Sequence, residues 1–262
     1  MRKTYRAGGV KDYWNARWSD IPVDSAMTNT SAYPLKYALE TVKSTEGLIL
    51  EAGCGAGRIL RYFHDLGYDI TGFDFIEVAV EKLKEVDESL RAEVGDITNL
   101  KYEDEQFRYL LAYGLYHNIE HKLDGAISES WRVLEKSGRI CASFRADNIQ
   151  TRLTDRLANK KNKKVKSDEP LEFHKLNLTK SEFILLFERA GFKVEKVFPV
   201  ENMPILYKFK VFRFRTHKNF NENIARGEGY RLSLLGSFLQ KCLMKFFPNQ
   251  FCNIYVLIAT KL

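Results

Sequence analysis

Apolar residues alternate between two rhythms from about Gly47 to Arg145. Short, densely apolar runs read as buried strands, and between them apolar residues recur every three or four positions, as on one helix face. The runs are Leu48–Glu51, Ile70–Phe73, Arg91–Val94, Phe107–Tyr113 and Arg139–Phe144. The helical stretches are Tyr33–Lys43, Arg58–Leu66, Ile76–Val86 and Leu123–Glu135, with Lys136-Ser137-Gly138 as the turn after the last. Strand and helix in strict alternation predict a doubly wound parallel sheet.

Past Arg145 the rhythm weakens. Ala146 to Leu178 reads as a long loop or lid. Thr179 followed by Glu182 has capping-box spacing and opens a helix that ends at Gly191. Phe192–Val200 is a sixth strand, Glu201–Gln250 a second insertion, and Asn253–Thr260 a seventh strand. That strand is apolar almost throughout, as one buried inside a sheet would be. A hairpin-like return makes it antiparallel. The expected architecture is therefore α/β: a Rossmann-like doubly wound sheet of seven strands, mostly parallel with the last antiparallel. An N-terminal helical cap (1–44) precedes a core (45–145). The C-terminal half (146–262) adds strands six and seven, with lid insertions at 146–178 and 201–250.

The candidate chemistry sits at the strand ends. Glu51-Ala52-Gly53-Cys54-Gly55-Ala56-Gly57 follows the first strand, and its glycines let backbone turn sharply and approach a ligand. A dinucleotide loop needs a third small residue for close helix packing. Here that position is Arg58 or Leu60, and neither fits. Glu51 would repel a pyrophosphate but can organise donors for a cationic or zwitterionic ligand. Asp74, followed by Phe75, ends the second strand, where a carboxylate can accept both hydroxyls of a ribose. Asp96 ends the third; it can accept an adenine amino proton while Ile97 covers a ring face, or it can cap a turn.

Ile49 to Arg58 resembles motif I of the class I S-adenosylmethionine-dependent methyltransferases. Asp74 and Gly95-Asp96-Ile97 match the acids that follow in that family. Tyr113-Gly114-Leu115-Tyr116-His117-Asn118-Ile119 resembles its motif after strand four, and Trp131 to Gly138 its Arg-Val-Leu-Lys-Pro-Gly-Gly turn, with Ser137 in place of proline. The likeness leans toward small-molecule enzymes of the ubiquinone/menaquinone-biosynthesis type. It implies S-adenosyl-L-methionine as cofactor and S-adenosyl-L-homocysteine as product. Gly53 and Gly55 would lie on the methionyl part, Asp74 on the ribose, and Asp96 with Ile97 on the adenine. Tyr113 would lend its carbonyl to the methionyl ammonium.

Methyl transfer from a sulfonium is an in-line displacement, so the protein supplies orientation and, for some acceptors, a base. His117 is the candidate base, or else a residue that positions its loop. His121 lies further along that loop, and His174 could reach the pocket from the lid side. In the N-terminal Tyr13-Trp14-Asn15-Ala16-Arg17-Trp18, the aromatics Tyr13 and Trp14 could fold over the sulfonium, with Arg17 near the carboxylate. The plain alternative is a helix packing on the sheet.

Charge adds one distinction. Residues 1–150 hold 19 Lys and Arg against 24 Asp and Glu, whereas 151–262 hold 22 against 10. The basic half, with its run at Lys160–Lys166, could face an anionic substrate, a membrane surface or nucleic acid. Ile205–His217 interleaves aromatics with bases, and 230–247 carries apolar residues at helical spacing. These read as a lid over an acceptor, a peripheral membrane contact, an RNA-stacking surface, or plain packing on itself or on a second subunit. The leading expectation is methyl transfer to O or N of a small molecule. The alternatives are a wobble-uridine-type RNA methyltransferase and a non-catalytic cofactor-binding protein. The four cysteines lack metal-ligand spacing, so no metal is expected. The polar N-terminus lacks a secretory h-region, which with the unpaired cysteines points to the cytoplasm.

Overall fold

The computed structural model describes residues 1–20, 26–162, 170–219 and 230–262. Its strands are β1 (Arg2–Ala7), β2 (Ile49–Ala52), β3 (Ile70–Asp74), β4 (Ala92–Val94), β5 (Phe107–Ala112), β6 (Leu134–Arg145), β7 (Leu171–Asn177), β8 (Phe192–Val200) and β9 (Ile254–Lys261). The helices are α1 (Val10–Asp20), α2 (Leu35–Thr41), α3 (Arg58–Asp65), α4 (Glu77–Val86), α5 (Leu123–Val133), α6 (Ile149–Asn162), α7 (Lys180–Arg189), α8 (Leu234–Phe246) and α9 (Pro248–Phe251).

Seven strands form one sheet in the order β4-β3-β2-β5-β6-β9-β8, mostly parallel with one antiparallel strand. Every residue of β2 is buried, as a central strand of a covered parallel sheet requires. α3 turns Ile59, Leu60 and Phe63 inward, and α4 turns Ala79, Val80 and Leu83 inward, at the spacing of one helix face. The Thr179–Glu182 capping box forms as expected at the start of α7. Phe183 of α7 packs on Phe144, and Phe187 packs on Phe192.

Register aligns the strand ends. Ala52 of β2 pairs with Phe73 on one side and Ala112 on the other, and Asp74 pairs with Val94. Gly53, Asp74, Gly95-Asp96 and Tyr113 therefore emerge along one edge. The strand order reverses at β2, where neighbouring connections diverge and leave a crevice.

Residue contacts divide the chain into two units. The first is Met1–Arg145, Ser167–Phe198 and Val256–Leu262; the second is Ala146–Lys166 and Pro199–Tyr255. The elements and their pairing depart from three expectations. The segment 1–44 is not wholly helical: Arg2–Ala7 is a strand pairing antiparallel with Leu171–Asn177, because each offers the other's edge a backbone partner. The segment 146–178 is not one loop, since it supplies α6 to the second unit and β7 to the first. Weak hydrophobic periodicity hid α6, which carries Ile149, Leu153 and Leu157 exposed. The helix expected over 123–135 stops at Val133, because Leu134 already pairs with Phe107. The following turn becomes an irregularity within β6, with Ser137 at φ 63°. The lysine run 160–166 ends outside the described residues, as does 220–229 of the second insertion.

In the second unit part of the aromatic-basic interleaving of 205–217 is internal, while Lys208, Phe209, Lys210 and Arg215 are exposed. Tyr207 is buried, its hydroxyl 2.9 Å from His217 Nδ1 and its ring 5.1 Å from that of Tyr230. Arg213 Nε donates to the Tyr207 carbonyl at 2.7 Å, and Arg231 lies 4.5 Å from the Phe214 ring centre.

Candidate functional site

The glycine loop turns over the end of β2. The Gly53 and Cys54 amides donate to the Phe73 carbonyl at 2.8 and 2.9 Å, tying the loop to β3. Gly53, Gly55 and Gly57 have φ of 74°, 53° and 72°, a region side chains disfavour. Asp74 holds the loop from the next strand: Oδ2 accepts from the Gly55 amide and Oδ1 from the Ile76 amide, each at 2.9 Å. Burial raises the Asp74 pKa, while those backbone donors oppose the rise.

Glu51 is buried beneath the loop, and its Oε2 has no hydrogen-bond partner. Desolvation pushes its pKa up to about 8, against partial relief from a Leu60 backbone hydrogen bond and the Arg58 charge. A buried carboxylate with an orphaned oxygen fits a cationic group on a ligand. The residues present thus suit a ligand with a charged amino-acid end and a sugar.

Asp96 is exposed, with Oδ1 capping the turn by accepting from the Thr98 amide at 2.8 Å. Both its capping role and a free carboxylate oxygen for a ligand are available. Ile97 is buried, which leaves its side chain little surface for a ring face. Phe75 is exposed at the mouth, with Lys11 Nζ 5.1 Å from its ring centre. A small hollow beside Asp96 is lined by Phe73, Glu93, Asn99 and Tyr102.

α1 brings its aromatics to the same edge. Tyr13 meets Trp14 edge-on at 5.2 Å, Trp14 stacks on Trp18 at 5.4 Å, and the Arg17 guanidinium lies 5.8 Å from the Trp14 ring. The residue that touches the glycine loop is Trp18, against Gly55. Lys82 of α4 fixes the helix end by donating to the Trp18 and Ser19 carbonyls at 2.8 and 2.7 Å, where a cation suits the helix dipole. Trp18 had a sequence signal: it stands one turn after Trp14, on the same face.

Tyr113 follows β5 and is half-buried, with Tyr33 edge-on at 5.8 Å. Next to it, Ser143 Oγ accepts from the Gly114 amide at 2.9 Å and meets the Tyr33 hydroxyl at 3.0 Å. His117 sits in a 3₁₀ turn, Tyr116–Asn118, and its Nδ1 is buried without a partner. Desolvation, with Arg145, Lys175 and His174 nearby, holds its pKa well below the usual value. His174, on β7, also has a buried, unpartnered Nδ1, and burial with Lys175, Arg6 and Arg145 lowers its pKa to about 3. The structure therefore gathers His117 and His174. His121 is exposed beside Glu120 and outside this cluster.

Residues 50–142 match the family described as a methyltransferase domain. No curated protein matches the chain. Among solved structures, an S-adenosylmethionine-dependent methyltransferase from Methanosarcina mazei is 17% identical, with TM-score 0.58 over 88% of this chain and 98% of that one. One from Mesorhizobium loti is 16% identical, with TM-score 0.57 over 88% and 99%. A Thermotoga maritima protein described as a possible histamine N-methyltransferase is 17% identical, with TM-score 0.53 over 86% of each chain. At such identities the likeness is one of fold.

Proposed function

We propose that this chain is a class I S-adenosylmethionine-dependent methyltransferase, built around the methyltransferase-domain match at residues 50–142, and that it methylates an oxygen or nitrogen of a small anionic acceptor. When bound, S-adenosylmethionine supplies an electrophilic methyl group on a sulfonium. Backbone at Gly53 and Gly55, the Asp74 and Asp96 carboxylates and the Tyr113 carbonyl would hold it. The orphaned Oε2 of Glu51 beneath the loop supports a ligand with a cationic end.

One observation carries the acceptor class: His117 and His174 are both buried with unpartnered Nδ1 atoms, and both feel Arg145 and Lys175. Burial is the main cause of both depressions, and the Arg145 and Lys175 charges add to it; two cations beside both imidazoles make the local potential positive. A carboxylate or phosphate is drawn to such a potential. A neutral His117 can accept a hydrogen bond at Nδ1 from an acceptor hydroxyl or amine, orient it, and take its proton as the methylated atom turns positive. Against an RNA acceptor, Tyr207 and Phe214, two of the aromatics of 205–217 that would stack on bases, already have Arg213 and Arg231 against their rings.

The test is to incubate the chain with methyl-labelled cofactor and a fractionated cell extract. Label is expected in small anionic molecules, and Arg145→Gln should raise the acceptor KM while leaving cofactor affinity unchanged. Label in RNA overturns the acceptor class, and no label in any fraction overturns catalysis.

A further inference from the structure

α8 faces the wrong way for a helix of a water-facing surface. At 100° per residue, Leu234, Leu235, Phe238, Leu239, Cys242 and Phe246 fall within an arc of about 140°. That arc points outward: Leu234 is 93% exposed, Phe238 65% and Phe246 66%. The buried positions of the helix are Gly236 and Gln240. Gly236 packs so tightly that a Cβ would stand 2.7 Å from the Phe212 carbonyl oxygen. Gln240 is polar yet inward; its Nε2 donates to Glu201 at 2.7 Å and its Oε1 accepts from the Leu206 amide at 3.4 Å. The helix is thus fixed by its small and polar side, and its apolar side is left for something else.

We infer that this face docks on an anionic lipid bilayer. The occupant is argued from charge and shape. α8 has Lys241 just outside one edge of the apolar arc, Lys245 just inside that edge and no acidic residue, and residues 201–250 hold nine Lys and Arg against three Asp and Glu. Phe209 and Val211 of the adjoining turns are exposed as well, with Lys210 between them also exposed. A helix with an exposed apolar arc, lysines at one edge of it and no acidic residue has the make-up of a helix lying in a membrane interface. At 13 residues it is too short to cross, and no described helix is long and apolar enough to do so. All these residues belong to the second unit, so the inference stands apart from the acceptor assignment.

The experiment is vesicle flotation of the full chain, using phosphatidylcholine alone or mixed with phosphatidylglycerol. Binding is expected to the mixed vesicles, at least about tenfold weaker to neutral ones, and weakened by salt. Phe238→Ser with Leu235→Ser should abolish it, and Lys241→Ser with Lys245→Ser should erase the preference for anionic lipid. Both positions of the first pair are exposed, so melting temperature and cofactor affinity should not change. Absence of binding to the mixed vesicles, or equal binding by the apolar double variant, overturns the inference. So does a dimer in sedimentation velocity that the same double variant converts to monomer, because a second copy then covers the face.

Discussion

The indole of Trp18 rests on Gly55: a Cβ built at Gly55 would stand 2.6 Å from Trp18 Cζ2 and 2.8 Å from Cη2. A helix from the start of the chain therefore closes over the loop that follows the first core strand. Two separate costs attach to a side chain here, the positive φ of 53° and the collision with the ring.

They can be separated. Gly55→Ala should destabilise the protein by about 2–5 kcal/mol, from roughly 1–2 for the left-handed backbone and roughly 1–3 for overpacking. In a Trp18→Ala background only the backbone part should remain, so denaturant titration of the cycle should show coupling of about 1 kcal/mol or more. Additive effects would mean that the indole does not rest on the loop in solution.

Asp74 supports the loop as well as any sugar. Asp74→Ala removes the acceptor for two backbone amides and should cost about 1–3 kcal/mol of stability. It should also weaken cofactor binding by at least about a hundredfold in calorimetry. An unchanged affinity would misplace the site.

Glu51 makes binding pH-linked. With its pKa at about 8 the carboxyl is mostly protonated at pH 7, and a cationic ligand favours the ionised form. Cofactor binding near pH 7 should release a proton, visible as a dependence of calorimetric heat on the buffer's ionisation enthalpy. Because the folded pKa is raised, this group costs stability as pH climbs from about 4.5 to 8, by an amount on the order of 3 kcal/mol at pH 7. Glu51→Gln should therefore raise the melting temperature at pH 7, leave it unchanged at pH 4, and abolish the proton release.

His117 works in the opposite direction. Its pKa is depressed in the fold, as is that of His174, so the unfolded chain binds more protons and stability falls as pH drops below about 6.5. Turnover should show no inflection near pH 6.5 that belongs to His117. His117→Gln should slow turnover with cofactor affinity intact and should flatten the acid limb of the stability curve. An inflection that vanishes in this variant would show the imidazole titrating in the ordinary range.

The core was legible because a buried parallel strand must be apolar and the turn after it must be glycine or a carboxylate. The runs from Leu48 to Phe144 and the acids Glu51, Asp74 and Asp96 state this outright. What local pattern could not carry was anything satisfied by a distant partner. Arg2–Ala7 is a strand only because Leu171–Asn177 lies beside it. His174 is drawn beside His117 by that same ribbon, and Trp18 matters because α4 anchors the end of α1. Helix periodicity in 234–246 was plain in the sequence, yet it assigns the apolar side to the interior. Only the tight seat of Gly236 and the partners of Gln240 turn that side outward, since orientation is set by which face finds a complementary surface.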